Sequence, residues 1–354
     1  MKKTLIAAAL TTTLLFAGCG TQNTDETNVS SVTAQENVET NDTTSQSREL
    51  YAMDTVMTLE AYGANAEAAL DAAEDEITRL DALWSISSED GEIAQLNANK
   101  QITASEDTLT LLSRAKEISA ATDGLFSTTI APLMEAWGFT SSNYRVPDEA
   151  ELSSLLAYVD DTQIAISGNN VTLPANVEVD LGGIAKGFTS ARVMEIFREN
   201  GVESGILSLG GNVQTLGHKP DGSLWRVGIQ DPDDTSSILA TLEVADKAVI
   251  TSGGYQRFFE ENGVTYHHII DPRSGYPADS GLTSVTIVSD DGTLADGLST
   301  SLFIMGHDAA IDYWRTHSED FDFILVSDDG SVTISAGLED CFTLAGDRAL
   351  EVVQ

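Results

Sequence analysis

Three glycine-containing segments of the chain could bind an anion through their main-chain N–H groups. They are Leu181-Gly182-Gly183, Leu209-Gly210-Gly211-Asn212 and Thr251-Ser252-Gly253-Gly254. Glycines let main-chain N–H groups approach a phosphate closely, and the N-terminus of a following helix adds a favourable dipole. None of the segments has the spacing of a dinucleotide-binding or Walker motif, and each one alone is more often a tight turn. Three of them in one chain, each beside polar side chains, favour a site of nucleotide size.

Two adjacent histidines, His267 and His268, precede Ile269-Ile270-Asp271-Pro272. Neighbouring residues of a strand point to opposite faces, so at most one of the two rings can enter a given pocket. This pattern argues against a paired zinc site. A single imidazole beside a cleft could act as a general base at neutral pH.

Asp296 and Thr300 are four residues apart, which would place a carboxylate and a hydroxyl on one face of a helix. Oxygen ligands of this kind suit Mg²⁺, which usually keeps some waters and shares the phosphates of a substrate. By spacing alone, an Asp296 that caps the start of a helix is the commoner interpretation. A chain this acidic needs local positive charge to hold a pyrophosphate, and Mg²⁺ with Lys186 would supply it.

The composition limits the classes of function. The chain has 354 residues, with 56 Asp and Glu against 18 Lys and Arg and a formal charge of −38. An acidic surface repels a phosphate backbone, so we expect no nucleic-acid partner. Because 42% of the residues are hydrophobic, global disorder is excluded as well. The length allows two average domains or one large one.

The N-terminal segment predicts export and anchoring. Residues 1–18 carry two lysines before an apolar run and read as a signal peptide. The run ends in Phe16-Ala17-Gly18-Cys19, which resembles a bacterial lipobox with Phe16 at the usual Leu position, so we expect Cys19 to be lipidated. Residues 19–48 are mostly polar and predict a disordered tether. The expected protein is extracytoplasmic and lipid-anchored to the cell membrane; the alternative is a soluble secreted protein.

The body, residues 49–354, mixes helical and strand patterns. Apolar residues recur at helical spacing over 66–84, further helices are expected near 107–121, after Pro147, before Gly201 and from about Ala295, and hairpins are expected near 168–170, 262–263 and 329–330. Residues 177–180 are predicted to form a short strand. Because no βαβ rhythm is sustained, the pattern favours an α+β fold over a doubly wound sheet.

Taken as an ordered set, the segments of the body resemble the ApbE family of FAD:protein FMN transferases from Met53 to beyond Thr300. The segments that carry the resemblance are Met53-Asp54-Thr55, residues 85–97, Gly124-Leu125-Phe126-Ser127, Pro132-Leu133, Trp137-Gly138-Phe139, residues 179–187, Leu209-Gly210-Gly211-Asn212, Trp225-Arg226-Val227, Thr251-Ser252-Gly253, residues 268–272 and Ala295-Asp296.

This resemblance implies a duplicated α+β body of the T-fold kind, FAD as donor substrate and Mg²⁺ as cofactor. The implied reaction moves FMN onto a threonine hydroxyl of an exported FMN-binding protein and releases AMP. The residues implied to contact FAD are Met53, Ser87, Leu125, Phe126, Ser127, Asp180, Lys186 and Ile270. Those implied to hold the metal are Gly183 through its carbonyl, Asp296, Ser299 and Thr300. Ser87, Ser127 and Ser299 stand where the family frequently has Tyr, Asp and Asp.

In the expected mechanism, His268 accepts the proton of the incoming threonine, whose oxygen attacks the flavin-side phosphorus. If water took the place of threonine, the same site would hydrolyse FAD to FMN and AMP. A flavin-binding lipoprotein without turnover is the alternative from a different class, and release of AMP distinguishes it from both enzymes.

Overall fold

The computed structural model describes residues 44–354. The predicted signal peptide, Cys19 and most of the predicted tether lie outside the described residues. Within 44–354 helices and mainly antiparallel strands are intermixed, and the α+β class is confirmed. None of the helices in this part of the chain is long and apolar enough to cross a membrane.

Strands of residues 44–354 form one large sheet and three small ones. The strands are β1 Ser45–Ala52, β2 Thr55–Tyr62, β3 Gln101–Thr103, β4 Ala165–Ser167, β5 Asn170–Thr172, β6 Gly205–Leu209, β7 Asn212–Leu216, β8 Trp225–Gln230, β9 Ile238–Val244, β10 Ala248–Gly253, β11 Phe258–Glu261, β12 Val264–His267, β13 Leu282–Ser289, β14 Asp322–Ser327, β15 Val332–Ser335, β16 Phe342–Leu344 and β17 Leu350–Val353. In this part of the chain, the large sheet has nine strands in the order β1-β2-β6-β7-β10-β13-β14-β15-β17, antiparallel except for the last pair.

The helices of the described chain connect and cover these strands. They are α1 Ala66–Trp84, α2 Glu92–Asn99, α3 Glu106–Ala121, α4 Ala131–Trp137, α5 Glu149–Leu155, α6 Ala185–Glu199, α7 Gly292–Met305 and α8 His307–Arg315. The apolar residues of α1 recur every three or four positions, and seven of them, from Ala66 to Trp84, are buried. Helix α6 packs between α1 and α7, and α7 also covers β10 and β13. This packing brings the N-terminal turns of α6 and α7 together beneath the sheet.

The predicted boundary between the tether and the body is wrong. The body begins at β1, so residues 45–48 belong to the large sheet and not to the tether. The polar side chains of residues 45–48 are typical of a tether. Backbone pairing of Ser45 with Tyr62 and of Arg48 with Leu59, and ion pairs from Arg48 to Asp71 and Glu74, hold this edge in place without apolar burial.

Residues 177–180 have the alternation of a strand but do not pair with one. Val177 and Val179 are buried, and the main-chain groups of Val179 bond to the side-chain amide of Asn97 at 2.7 and 2.8 Å. The main-chain N–H of Asp180 donates to the carbonyl of Thr128 at 2.8 Å. The Asn97 amide therefore takes the place of a neighbouring strand and fixes the approach to Gly182 and Gly183.

Candidate functional site

The three glycine segments meet in the wall of one cavity of about 880 Å³. Gly182 and Gly183 precede α6, Gly210 and Gly211 form the β6–β7 turn, and Ser252 lies near the end of β10. The β1–β2 turn, residues 255–257 before β11, the region after β12 and one face of α7 also line the wall. The three segments therefore enclose a cavity large enough for a nucleotide.

The β1–β2 turn enters the cavity in a strained conformation. Ala52 pairs with Thr55, so Met53 and Asp54 are the two central residues, with φ of 49° and 59°. A two-residue turn of this type requires positive φ twice and usually takes Asn-Gly, so a methionine and an aspartate here cost about 1–3 kcal/mol each. The main-chain N–H of Met53 is fixed by a 3.0 Å hydrogen bond to Asp81. Such strain concentrates at functional sites, which supports a ligand-facing role for Met53.

Asp296 lies in the second turn of α7 and is only 4% exposed. Asp291 caps this helix by accepting from Leu294 N at 3.0 Å, so the interpretation of Asp296 as a cap is wrong. Its carboxylate accepts from the main chain of Gly187 at 2.8 Å and from the amide of Asn212 at 2.9 Å. In the described chain no cationic side chain pairs with it.

This donor set fits a hard cation. A buried carboxylate with only neutral partners is costly, and a bound cation would compensate its charge. Thr300 and Gly183 line the same cavity. Within residues 44–354, no three His, Cys, Asp or Glu side chains converge as a metal-binding group. A cation here would therefore take one carboxylate, a hydroxyl, a carbonyl and water, as Mg²⁺ accepts.

Ser299 stands apart from the other residues implied to hold the metal. Its hydroxyl is fully buried and bonds to Ser252 Oγ and to the carbonyl of Asp296, both at 2.8 Å. It is not among the residues that line the cavity. Ser299 lies three residues after Asp296 on α7, and its hydroxyl bonds back to the carbonyl of Asp296 on its own helix.

The two histidines separate as strand geometry predicts. His268 lines the cavity, whereas His267 packs edge-on against Phe303 and bonds through Nε2 to the carbonyl of Ala278 at 3.0 Å. Ring Nδ1 of His268 lies 3.1 Å from the carbonyl of Arg257. Because a carbonyl only accepts, Nδ1 carries the proton and Nε2 keeps a lone pair. Burial lowers the pKa of His268 to about 4, so the ring is neutral at physiological pH.

Charges in the cavity wall are mixed. Among the described lining residues, the cations are Lys186 and Arg257, and the acids are Asp54, Asp81, Asp180 and Asp296. Lys186 reaches the carbonyl of Gly182 at 3.3 Å. Burial raises the pKa of Asp180, an effect partly offset by the Gly182 N–H and by the charges of Arg257 and Lys186.

The other residues implied to contact FAD also lie in this wall. They are Ser87, Leu125, Phe126, Ser127 and Ile270. Phe126 packs so close to Gly183 that a Cβ there would lie 3.2 Å from its ring. The hydroxyl of Ser127 donates to the buried carboxylate of Asp161 at 2.7 Å. This hydroxyl therefore stabilises the local fold at the edge of the cavity.

Sequence reasoning missed Arg257, Tyr255 and Asp54, all of which line the cavity. Arg257 could have been found from the predicted hairpin at 262–263. The register that pairs Glu261 with Val264 places Arg257 opposite His268. Asp54 gave no separate signal, since its exposure to the cavity depends on the strained turn.

The sequence profile of the ApbE family matches residues 53–325, a span that includes the whole cavity wall. The chain belongs to the ApbE family. Two relatives, each named FAD:protein FMN transferase, come from Klebsiella pneumoniae (strain 342) and Treponema pallidum (strain Nichols). The first is 35% identical over 215 residues, covering 60% of this chain and 66% of the relative. The second is 34% identical over 234 residues, covering 61% and 64%.

These matches span slightly less than two thirds of the relatives' own length. Solved structures of ApbE proteins resemble a larger part of this chain. The ApbE protein from Thermotoga maritima is 30% identical, with a TM-score of 0.79 over 84% of this chain and 99% of that one. The flavin transferase ApbE from Vibrio cholerae is 26% identical, with a TM-score of 0.75 over 84% and 100%.

Proposed function

We propose that this ApbE-family chain transfers FMN from FAD to a threonine hydroxyl of an exported flavoprotein, forming a phosphoester and releasing AMP. The observation that carries the proposal is a neutral imidazole, His268, with its proton fixed on Nδ1, in a cavity that also holds Lys186 and the buried Asp296. The names of the relatives and of the Vibrio cholerae structure support the same reaction.

The roles of the residues follow from their chemistry. His268 takes the threonine proton on Nε2, because a hydroxyl is a poor nucleophile at neutral pH. Glycine main-chain N–H groups and Lys186 bind the pyrophosphate. Asp296, Thr300 and the Gly183 carbonyl would hold magnesium. When bound, magnesium supplies positive charge that stabilises the transferring phosphoryl group.

The apolar part of the wall would hold the flavin. Met53, Phe126 and Ile270 supply aliphatic and aromatic surface, and Asp180 supplies a polar contact at its edge. Ser87 is exposed at the rim, where its hydroxyl is 2.9 Å from that of the half-buried Ser85. A large planar ring fits such a wall, since ligand cavities are mainly apolar with a few placed polar groups.

The deciding experiment is co-expression with an FMN-binding acceptor domain, followed by mass spectrometry of the acceptor and assay of AMP. Covalent FMN on a threonine together with equimolar AMP supports the transferase. AMP without covalent flavin would indicate an FAD pyrophosphatase, and FAD binding without AMP would indicate a flavin-binding protein.

We also propose that the protein works outside the cytoplasm, attached to the cell membrane through lipid on Cys19. The lipobox-like sequence before Cys19 supports this proposal. A lipid anchor followed by a polar segment would let the body reach acceptor domains of neighbouring membrane proteins.

A further inference from the structure

We propose that the guanidinium of Arg257 binds the pyrophosphate of the donor substrate and stabilises the charge that develops there during transfer. This inference rests on the proposed function and adds a residue that the resemblance did not assign.

The first support is position. Arg257 immediately precedes β11, and its carbonyl accepts from both the main-chain N–H of His268 at 3.0 Å and ring Nδ1 at 3.1 Å. Its side chain lies in the cavity wall over the ring of Phe139, 5.9 Å from the ring centroid, and donates to the carbonyl of Phe139. The base and the guanidinium are therefore held at the same end of one hairpin.

The second support is the absence of an acidic partner. Among the described residues, Arg257 is the one arginine that forms no ion pair with a carboxylate. The paired arginines are Arg48, Arg79, Arg114, Arg145, Arg192, Arg198, Arg226, Arg273, Arg315 and Arg348. In a chain with 56 acidic residues, a guanidinium without a carboxylate partner in a cavity wall is available for a ligand anion.

The third support is chemical fit. The planar fork of arginine matches phosphate oxygens in a bidentate geometry, which the point charge of Lys186 does not. The aspartates in the wall would repel a pyrophosphate, so a guanidinium beside Lys186 would strengthen its binding.

The proposed transfer is a substitution at the phosphorus on the FMN side of the pyrophosphate. A bond forms between the threonine oxygen and the FMN-side phosphorus, while the bond from that phosphorus to the oxygen of the AMP phosphate breaks. The hydroxyl proton goes to Nε2 of His268, and the electron pair leaves on AMP. Arg257 thus has two roles in the step. Its carbonyl sets the tautomer of His268, which accepts the proton, and its guanidinium binds the charged phosphates.

The test compares Arg257→Gln, Arg257→Lys, Arg257→Ala and the control Arg226→Gln. Every variant at 257 keeps the carbonyl that holds His268, so a loss of transfer reports the guanidinium. Arg226 is exposed on β8, 3.7 Å from Glu243, and outside the cavity. We expect Arg257→Gln to lower transfer by about 100- to 1,000-fold, Arg257→Lys to recover part of it, and the control to match the wild type.

Binding of ADP, measured by calorimetry without acceptor or turnover, keeps this inference separate from the proposed function. We expect Arg257→Gln to weaken ADP binding and to reduce its salt dependence, and added guanidinium to restore part of the transfer by Arg257→Ala. If the wild type transfers no FMN, the proposed function fails while the ADP measurement still tests Arg257. Unchanged ADP affinity in Arg257→Gln, or a loss of transfer that guanidinium does not restore and that matches a lowered melting temperature, would overturn the inference.

Discussion

Gly187 and Asp296 touch across the crossing of α6 and α7. The main-chain N–H of Gly187 donates to Oδ2 of Asp296 at 2.8 Å. A Cβ at Gly187 would lie 2.6 Å from the Cβ of Asp296 and 2.2 Å from the carbonyl oxygen of Gly292. A Cβ at Gly292 would in turn lie 2.8 Å from the carbonyl oxygen of Gly187. The missing side chains at both glycines therefore set how closely the two helices pack and where Asp296 meets the cavity.

Gly187→Ala should force these helices apart. Overpacking of this kind costs about 1–3 kcal/mol of unfolding free energy, and the shift of Asp296 should lower AMP release as well. Denaturant unfolding and the AMP assay measure the two effects. The control is Glu195→Ala on the exposed face of α6, which should stay within about 0.5 kcal/mol of the wild type. Wild-type stability and activity in Gly187→Ala would show that the crossing tolerates a methyl group.

Asp296→Asn should remove the response of the protein to magnesium. The amide keeps the size of the side chain but loses the charge that attracts the cation, and loss of metal stabilisation worth several kcal/mol corresponds to about 100-fold or more in rate. AMP formation and the melting temperature are both followed against added Mg²⁺, since a ligand that binds the folded state raises the latter.

Ser299→Ala is the matched control for Asp296→Asn. Its hydroxyl bonds to Ser252 and to its own helix, so removing it should leave the magnesium requirement unchanged. A changed requirement in this variant would return Ser299 to the list of ligands. An unchanged requirement in Asp296→Asn would remove Asp296 from it.

Much of the site could be predicted because its local rules are strong. Strand alternation predicted that at most one of His267 and His268 enters a given pocket, and the resemblance to the family pointed to His268. The three glycine segments pointed to a shared site. Both features depend on neighbouring residues in the chain, so single-sequence patterns carry them.

The features that the sequence could not predict depend on contacts between segments that are distant in the chain. Val177 to Asp180 read as a strand, yet the pairing partner of Val179 is the side chain of Asn97, which periodicity cannot show. The Met53-Asp54 turn breaks the usual preference for Asn-Gly because tertiary contacts, including the bond from Met53 to Asp81, hold it. By spacing alone Asp296 resembles a helix cap, because the real cap, Asp291, lies only five residues earlier.

Cys19→Ala should release the protein from membranes. Lipid on this cysteine is the proposed attachment, and without it the polar segment that follows has little affinity for a bilayer. Cell fractionation with an antibody to the body gives the result, and Ser30→Ala within the same polar segment serves as the control. A Cys19→Ala variant that stays with the membrane would mean that the lipobox reading is wrong or that another protein holds the body there.

His268→Ala and His267→Ala should fail in different ways. The first removes the proposed base, and general base catalysis is typically worth about 100- to 10,000-fold, so transfer should fall by that factor while FAD still binds. The second removes a half-buried ring that bonds to Ala278 and Ile269 and packs on Phe303, so it should lower the melting temperature more than the rate of the folded enzyme. Covalent flavin on the acceptor, FAD fluorescence and thermal unfolding separate the two. Full transfer by His268→Ala would show that His268 is not the general base.

The acidic limit of activity should lie well below the usual histidine range. Burial lowers the pKa of His268 to about 4, the nearby charges of Arg257, His267 and Lys186 act in the same direction, and the bond to the Arg257 carbonyl partly offsets them. The neutral ring is the base, so kcat/KM should fall only as the pH approaches about 4, and not near 6.5.

The same lowered pKa makes the unfolding free energy depend on pH between the unfolded and folded values of the His268 pKa. Between about 6.5 and 4 the unfolded chain takes up a proton that folded His268 does not, so this residue lowers the unfolding free energy progressively as the pH falls. Initial rates across pH, with unfolding measured at each pH for the wild type and His268→Gln, give both profiles. The unfolding free energy of His268→Gln should change less than that of the wild type between about pH 6.5 and pH 4. An acidic limb of kcat/KM centred near 6.5 would mean that the ring is solvated and that burial does not set its protonation.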